Sequence, residues 1–326
     1  VVHTLPLAHA LKEGIPGSYI VWIVEEHERI MVADNPAVDE VVVGPSRRWR
    51  REALTPWGAV RVLREMGALR RRLRSLRIDV AIDVQGLPKS SLFTLLTGAP
   101  RRVGFGWLSV RDPFAAFFTN RHVDPGPSVP HIVDQNLRLL SAFEVEAGTT
   151  RFPLPPFAQA EDRTDRFLRE HALSPSERLV VLLPGTRGLA KQWPPERYAD
   201  LAVRLSGLEG VRLALVGSPA EEDLLARVGA GLDARRPIRF TGPIDELVSL
   251  LRRAALVLGN DTGPLHIAAA LNRPTIGLFG PTRAERTGPY GPEGRSIQSP
   301  TRRMRDIGLE TVVGAALERL GIAAPA

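Results

Sequence analysis

The sequence predicts an α/β protein made of two Rossmann-like, doubly wound domains. Three observations carry that prediction. Short runs of branched apolar residues alternate with amphipathic helical stretches, two of those runs lead into glycine-bearing loops that open onto helices, and a proline-rich passage divides the chain near its middle. At 326 residues, 44% hydrophobic and 24% charged, the chain is long enough for each half to bury its own core. No run reaches the roughly 18 apolar residues of a membrane-spanning helix, and no signal-peptide pattern opens the sequence, so a cytosolic location is expected. Cysteine is absent, which excludes disulfides and cysteine-ligated metal and agrees with a reducing compartment.

Along the first half, residues 1–12 read as a helix with Val1, Leu5, Ala8 and Leu11 on one face. A strand precedes such a helix in most α/β folds. A turn at Pro16-Gly17 leads to an apolar run over 19–24, then a short helix and a second run over 40–43 closed by Gly44-Pro45. A helix over 57–76 feeds a strand over 80–84, and Gln85-Gly86 begins a loop before a helix near 90–96. A long helical run over 131–143 follows. The stretch 146–156, with Gly148, Pro153, Pro155 and Pro156, places the domain boundary there.

Alternation then resumes. Strands are expected over 179–183, 211–216, 238–241, 255–258 and 275–279, and helices over 195–205, 220–228, 244–254, 264–271 and 309–320.

Two loops carry candidate chemistry. The first strand of this half runs into Pro184-Gly185-Thr186-Arg187-Gly188-Leu189-Ala190-Lys191-Gln192-Trp193, whose glycines let backbone amides approach an anion while Thr186, Arg187 and Lys191 add donors and charge. It lacks the Gly-Lys-Ser/Thr ending of a Walker loop, and a plain strand-to-helix connection would also read this way. The second is Gly259-Asn260-Asp261-Thr262-Gly263-Pro264-Leu265-His266. Asp261 or Thr262 can cap the following helix and Pro264 suits its first turn. Simple capping accounts for one of these residues but not for the whole run. His266 alone reads as a packed or capping histidine before a catalytic one. No Asp-x-Asp pair and no clustered histidine and carboxylate spacing points to metal, so diphosphate charge falls to Lys191, Arg187 and helix ends.

The net charge of +7 is uneven, with eleven arginines from Arg47 to Arg77 against Glu52 and Glu65. Nucleic acid, an anionic membrane or a phosphorylated substrate would each suit such a surface. Over 61–77 the charges read as a solvated helical face.

The segment Asp261 to His266, followed by Pro274 and Gly280-Pro281-Thr282, resembles the donor-site signature of the lipopolysaccharide heptosyltransferases. Lys191-Gln192-Trp193-Pro194 is similar to that family's phosphate-binding Lys-x-Trp segment, and Gly217 with Glu221 to its ribose-contacting Gly-x-x-x-Glu. In the first half, Val2-His3-Thr4-Leu5-Pro6, Arg47-Arg48-Trp49-Arg50 and Ile82-Asp83-Val84-Gln85-Gly86-Leu87 resemble the branch that adds the first heptose.

The resemblance implies a GT-B architecture, two Rossmann-like domains facing across a cleft. Residues 1–150 would bind acceptor, 151–305 the nucleotide sugar, and 306–326 would form a terminal helix packing back on the first domain or staying with the second. It implies transfer of heptose with inversion from ADP-heptose to Kdo of Kdo2-lipid A, at the cytoplasmic face of the inner membrane, with no metal, no cofactor and no nucleic-acid partner. Donor contacts would come from Thr186, Arg187, Lys191, Glu221, Asp261, Thr262, Gly263, Pro264, Leu265 and His266, with Lys191 stabilising the leaving group. Acceptor contacts would come from Arg47, Arg48, Arg51, Asp83, Gln85 and Gly86. The family's proposed general base is an aspartate in a Gly-Asp pair just before the Val2 to Pro6 match, so its counterpart is expected ahead of Val1, along with the opening strand. Arg187 stands where relatives often have threonine.

Three other readings stay open. A heptosyltransferase adding the second heptose would have nearly the same donor site, and acceptor chemistry separates the two. A sugar-nucleotide epimerase of the same architecture would bind donor without an anionic acceptor groove. A non-catalytic nucleotide- or nucleic-acid-binding module would explain the arginines, but the sparse aromatics offer no stacking platform for bases.

Overall fold

The computed structural model describes residues 1–232 and 237–323. Two compact units meet at Pro156 and Phe157, where 150 and 151 had been expected.

In the first unit a 3-10 turn, Val2–Thr4, leads into α1 (Leu5–Gly14), which buries Leu5, Leu7, Ala8 and Leu11. Next come β1 (Val21–Val24), a 3-10 segment Glu26–Met31, and β2 (Glu40–Val43), parallel to β1. Then follow α2 (Ser46–Glu52), α3 (Pro56–Ser75), β3 (Val80–Asp83), α4 (Pro88–Thr97), β4 (Arg101–Phe105), β5 (Arg121–Val123) and α5 (Ile132–Arg138). The Thr55 hydroxyl caps α3 by accepting from the Gly58 amide at 3.1 Å, and Pro56 fills its first turn. Gly98, with φ 72°, ends α4 in the left-handed conformation that glycine adopts without strain. The strands form two parallel sheets, β1-β2 and β3-β4-β5. The run over 131–143 is α only to Arg138 and 3-10 from Leu139 to Phe143.

The second unit contains α6 (Ala158–Glu170), β6 (Arg178–Leu183), α7 (Pro195–Ser206), β7 (Val211–Val216), α8 (Glu222–Gly229), β8 (Ile238–Phe240), α9 (Ile244–Arg252), β9 (Leu256–Asn260), α10 (Gly263–Ala270), β10 (Thr275–Phe279), α11 (Ala284–Thr287), β11 (Gly294–Gln298) and α12 (Leu309–Leu320). Among the described residues its six strands form one parallel sheet, ordered β11-β10-β9-β6-β7-β8. Such a sheet is covered on both faces, which is why β6, β7, β9 and β10 read as nearly unbroken apolar runs.

The terminal helix packs in the core of the second unit, one of the two placements expected for it. Val312, Ala315, Ala316 and Leu317 of α12 join Val180, Leu182, Trp193 and Tyr198 in the second unit's core, and the Arg178 guanidinium donates to the Leu320 carbonyl at 2.7 Å. The apolar face of α12 is complementary to the face of that sheet. Residues 324–326 of the expected terminal segment lie outside the described residues.

Six of the labelled elements were not anticipated: α2, β4, β5, α6, α11 and β11. β4 opens on two arginines and contains glycine, β5 has three residues, and β11 is a half-exposed edge strand. None of these three strands presents an apolar run, and each is held by its neighbour's ladder.

Candidate functional site

β6 pairs with β7 on one side and with β9 on the other, with Leu183 opposite Gly259. The chain thus leaves β6 toward one flank and later returns on the other, and a crevice opens between the carboxyl ends of β6 and β9, where doubly wound sheets bind ligands. Both candidate loops lie at this point. Asn260, fully buried at the end of β9, joins them: its Oδ1 accepts from the Trp193 amide at 3.0 Å and its Nδ2 donates to the Pro184 carbonyl at 2.9 Å. Trp193 is itself buried, stands edge-on to Tyr198 and donates its indole N–H to the Ile307 carbonyl at 3.1 Å. The loop after β6 is therefore anchored at both ends.

Lys191 ends the 3-10 turn Leu189–Lys191 and reaches across the crevice, where its Nζ donates to Asp261 Oδ2 at 2.8 Å. His266 Nε2 meets Asp261 Oδ1 at 3.1 Å, one turn into α10. The Asp261 side chain is 9% exposed. Burial pushes its carboxyl up, but the hydrogen bonds from His266 and Lys191, with their charges, outweigh it and hold the group well below the usual carboxylate range.

Capping does not explain this run. Asp261 is committed to Lys191 and His266, while Thr262 occupies the N-cap position with an extended backbone and makes no side-chain cap bond. The Thr262 hydroxyl is buried without a hydrogen-bond partner among the described residues. Pro264 sits in the first turn as expected, and a Cβ added to Gly263 would meet nothing within 4 Å. The helix start thus presents amides and a buried hydroxyl, which suits an anion.

Glu221 approaches from the β7 side. Its Oε2 accepts from the Ser218 amide at 2.7 Å and the Ser218 hydroxyl at 2.8 Å. A Cβ on Gly185 would lie 2.1 Å from its Oε1, so any larger residue there would displace the Glu221 carboxylate. Thr186 is half-buried and Arg187 exposed in that loop.

In the first unit, Arg47, Arg48 and Arg51 of α2 line one cavity of about 570 Å³ with Glu25, Glu26, His27, Val43 and Pro45. They are not equivalent. Arg48 is held by Glu65 at 2.6 Å and Glu52 at 3.3 Å, and Arg47 by Glu28 at 3.1 Å and by His27. Arg51 forms no ion pair among the described residues and is exposed. Glu65 also accepts the Trp49 indole N–H at 2.8 Å, and these bonds, Arg48 first, pull its pKa down to about 2.

Asp83 departs from the expected acceptor contact. It is buried, with Oδ1 accepting from the Gln85 and Gly86 amides at 3.0 Å and Oδ2 from the Ser91 hydroxyl at 2.7 Å. The carboxylate is spent on shaping the turn between β3 and α4. Gly86 is buried at φ 58°, Gln85 is exposed on that turn, and Asp112 donates its amide to the Gly86 carbonyl.

Residue reading singled out neither Asn260 as the joint between loops nor Glu25, Glu26 and His27 as cavity lining. Asn260 lay inside the recognised run. The other three stand in a 3-10 segment whose sequence gives no sign that it faces α2.

A family model described as glycosyltransferase family 9 (heptosyltransferase) matches residues 66–315. The chain is 30% identical over 319 residues to lipopolysaccharide heptosyltransferase 1 of Salmonella typhimurium, covering 96% of this chain and 95% of that one. It is 33% identical over 295 residues to lipopolysaccharide heptosyltransferase 1 of Pseudomonas aeruginosa, covering 89% and 78%. Among solved structures, E. coli heptosyltransferase WaaC with ADP superimposes with a TM-score of 0.78 at 28% identity, over 98% of this chain and 95% of that one.

Proposed function

The chain belongs to glycosyltransferase family 9, the heptosyltransferases, and on that premise we propose that the crevice at the ends of β6 and β9 holds the donor while the arginine-lined cavity takes the acceptor. It is a glycosyltransferase that transfers heptose in lipopolysaccharide inner-core synthesis, from ADP-heptose to a lipopolysaccharide acceptor. The acceptor in this proposal is Kdo of Kdo2-lipid A, met at the cytoplasmic face of the inner membrane.

One observation carries the donor assignment: Lys191, anchored by Asp261, stands beside the amide-bearing start of α10. Of the three Lys191 ammonium hydrogens, one goes to Asp261, leaving two for phosphate oxygens. In the inverting step the acceptor hydroxyl oxygen attacks the anomeric carbon opposite the ADP. A new glycosidic C–O bond forms, the anomeric C–O bond to the β-phosphate breaks, and ADP leaves with the electron pair. Lys191 and the amides of α10 meet the charge that builds on it without reorganising. Glu221 Oε1 accepts a ribose hydroxyl, its Oε2 already serving Ser218. The hydroxyl proton goes to a base, a role that disfavours Asp83, which is buried and already accepts three hydrogen bonds.

The test is mass spectrometry of the protein with ADP-heptose and Kdo2-lipid A. The expected product is the acceptor plus one heptose, with one ADP released. Product formed only from an acceptor already carrying heptose would assign the second-heptose reaction instead, and nucleotide-sugar isomerisation without acceptor would assign epimerase chemistry.

A further inference from the structure

Helix α3 exposes an apolar stripe that none of the described residues covers. Of its side chains only Val62 and Leu73 are buried. On the outward side Trp57 is 87% exposed, Val60 44% and Leu63 67%, and Leu54 just ahead of the helix is 83% exposed. Trp57 and Val60 lie three residues apart on one helical face, Arg64, Ala68 and Arg71 continue that face, and Leu63 and Arg70 stand beside it.

The surroundings are almost wholly cationic. Arg50, Arg51, Arg64, Arg70 and Arg71 are exposed and form no ion pair among the described residues, while Arg61 is shared between Glu65 and Glu52. A contiguous apolar stripe rimmed by charge of one sign is uncommon on a surface that faces only water. Tryptophan with aliphatic neighbours, flanked by long arginines whose heads reach outward, is the composition of a helix lying in a bilayer interface. The unpaired arginines complement anionic headgroups. A solvated face would explain the arginines but not the stripe they frame.

We propose that the outward face of α3, with Leu54, Trp57, Val60 and Leu63 at its centre, docks on an anionic lipid bilayer. The Arg48 bond to Glu65 ties α2 to α3, so a docked α3 presents the cavity of Arg47, Arg48 and Arg51 beside the lipid surface. The proposal rests on the reading of a lipid-borne acceptor for its purpose, but docking itself requires no acceptor. Among the described residues no helix is long and apolar enough to cross a membrane, so the contact is a surface one.

The experiment is co-sedimentation with vesicles of phosphatidylglycerol and phosphatidylcholine, and with phosphatidylcholine alone. The protein is expected to bind the anionic vesicles at least about tenfold more tightly than the neutral ones. Trp57→Ser with Leu63→Ser should lower anionic binding by about tenfold or more, whereas Val203→Ser, on the exposed side of α7, should leave it unchanged. On vesicle-borne acceptor the double variant should lose activity, and on a deacylated, water-soluble acceptor it should match the parent. Equal vesicle binding by parent and double variant overturns the proposal. So does a self-associating parent that the double variant renders monomeric, because a second copy then covers the stripe. Vesicle binding without heptose transfer to either acceptor would leave the docking face standing and remove the acceptor assignment instead.

Discussion

Lys191 and Asp261 act as a pair, and substitutions at the two should differ. Lys191→Ala removes the charge that meets departing diphosphate and should lower kcat/KM by about 10² while leaving the fold intact, because its side chain is 37% exposed. Kinetics and calorimetry within twofold of the parent would make it a surface residue. Asp261→Asn should weaken ADP binding and also lower stability, since it leaves Lys191 and His266 without their shared carboxylate. Its folded-state pKa is depressed, so the stabilisation is complete above the ordinary carboxylate pKa and fades as pH falls toward the lower folded value. Thermal melts of parent and Asp261→Asn should therefore converge in acid. Among the cavity arginines, Arg51→Gln is the clean probe: without a partner to abandon, it should raise acceptor KM by about fivefold, less at high salt, and leave ADP affinity unchanged. Arg48→Gln would confound binding with the loss of the Glu65 network.

Elements show the same division between support and function. The α2–α3 pair is held by Glu65, which accepts from Arg48, Trp49 and Arg61. Glu65→Gln should destabilise the protein by about 1–2 kcal/mol at neutral pH. Because the Glu65 pKa falls from 4.5 to about 2 on folding, that difference should be full above pH 4.5 and vanish as pH approaches 2, read by Trp49 fluorescence during denaturation. The β3–α4 turn makes a second case. Gly86 has φ 58°, and an added Cβ would lie 2.7 Å from a Val110 methyl, so Gly86→Ala should cost about 1–3 kcal/mol. A melting temperature equal to the parent's would refute the strain.

For the whole molecule, the two units carry separate cores, and the donor crevice belongs to one of them. ADP should therefore protect amides around the loops after β6 and β9 and raise the melting transition of the second unit, by about 2.7 kcal/mol at a hundredfold excess over Kd. Hydrogen exchange that slows equally throughout 1–156 would contradict this. The eleven arginines over 47–77 belong to the other unit and should not affect ADP binding in either direction.

The sequence by itself determined the second unit closely. β7 and β10 fall on their expected residues and α12 does too, because a doubly covered parallel sheet demands apolar runs and its helices demand one apolar face. It also brought Lys191 and the Asp261 to His266 run to notice, since an anion cradle needs glycine, small polar residues and a helix start in one stretch. Tertiary structure alone decided the rest. Pairing made strands of Arg101–Phe105 and Arg121–Val123, whose own residues are too polar or too few to announce one. Packing placed α12 in the second unit, turned Asp83 inward, engaged Arg47 and Arg48 with acids while leaving Arg51 unpaired, and left Trp57 and Leu63 facing outward. Periodicity reports that a helix has an apolar side, but α3 carries apolar residues on two sides, and only the neighbours it meets decide which of them is buried.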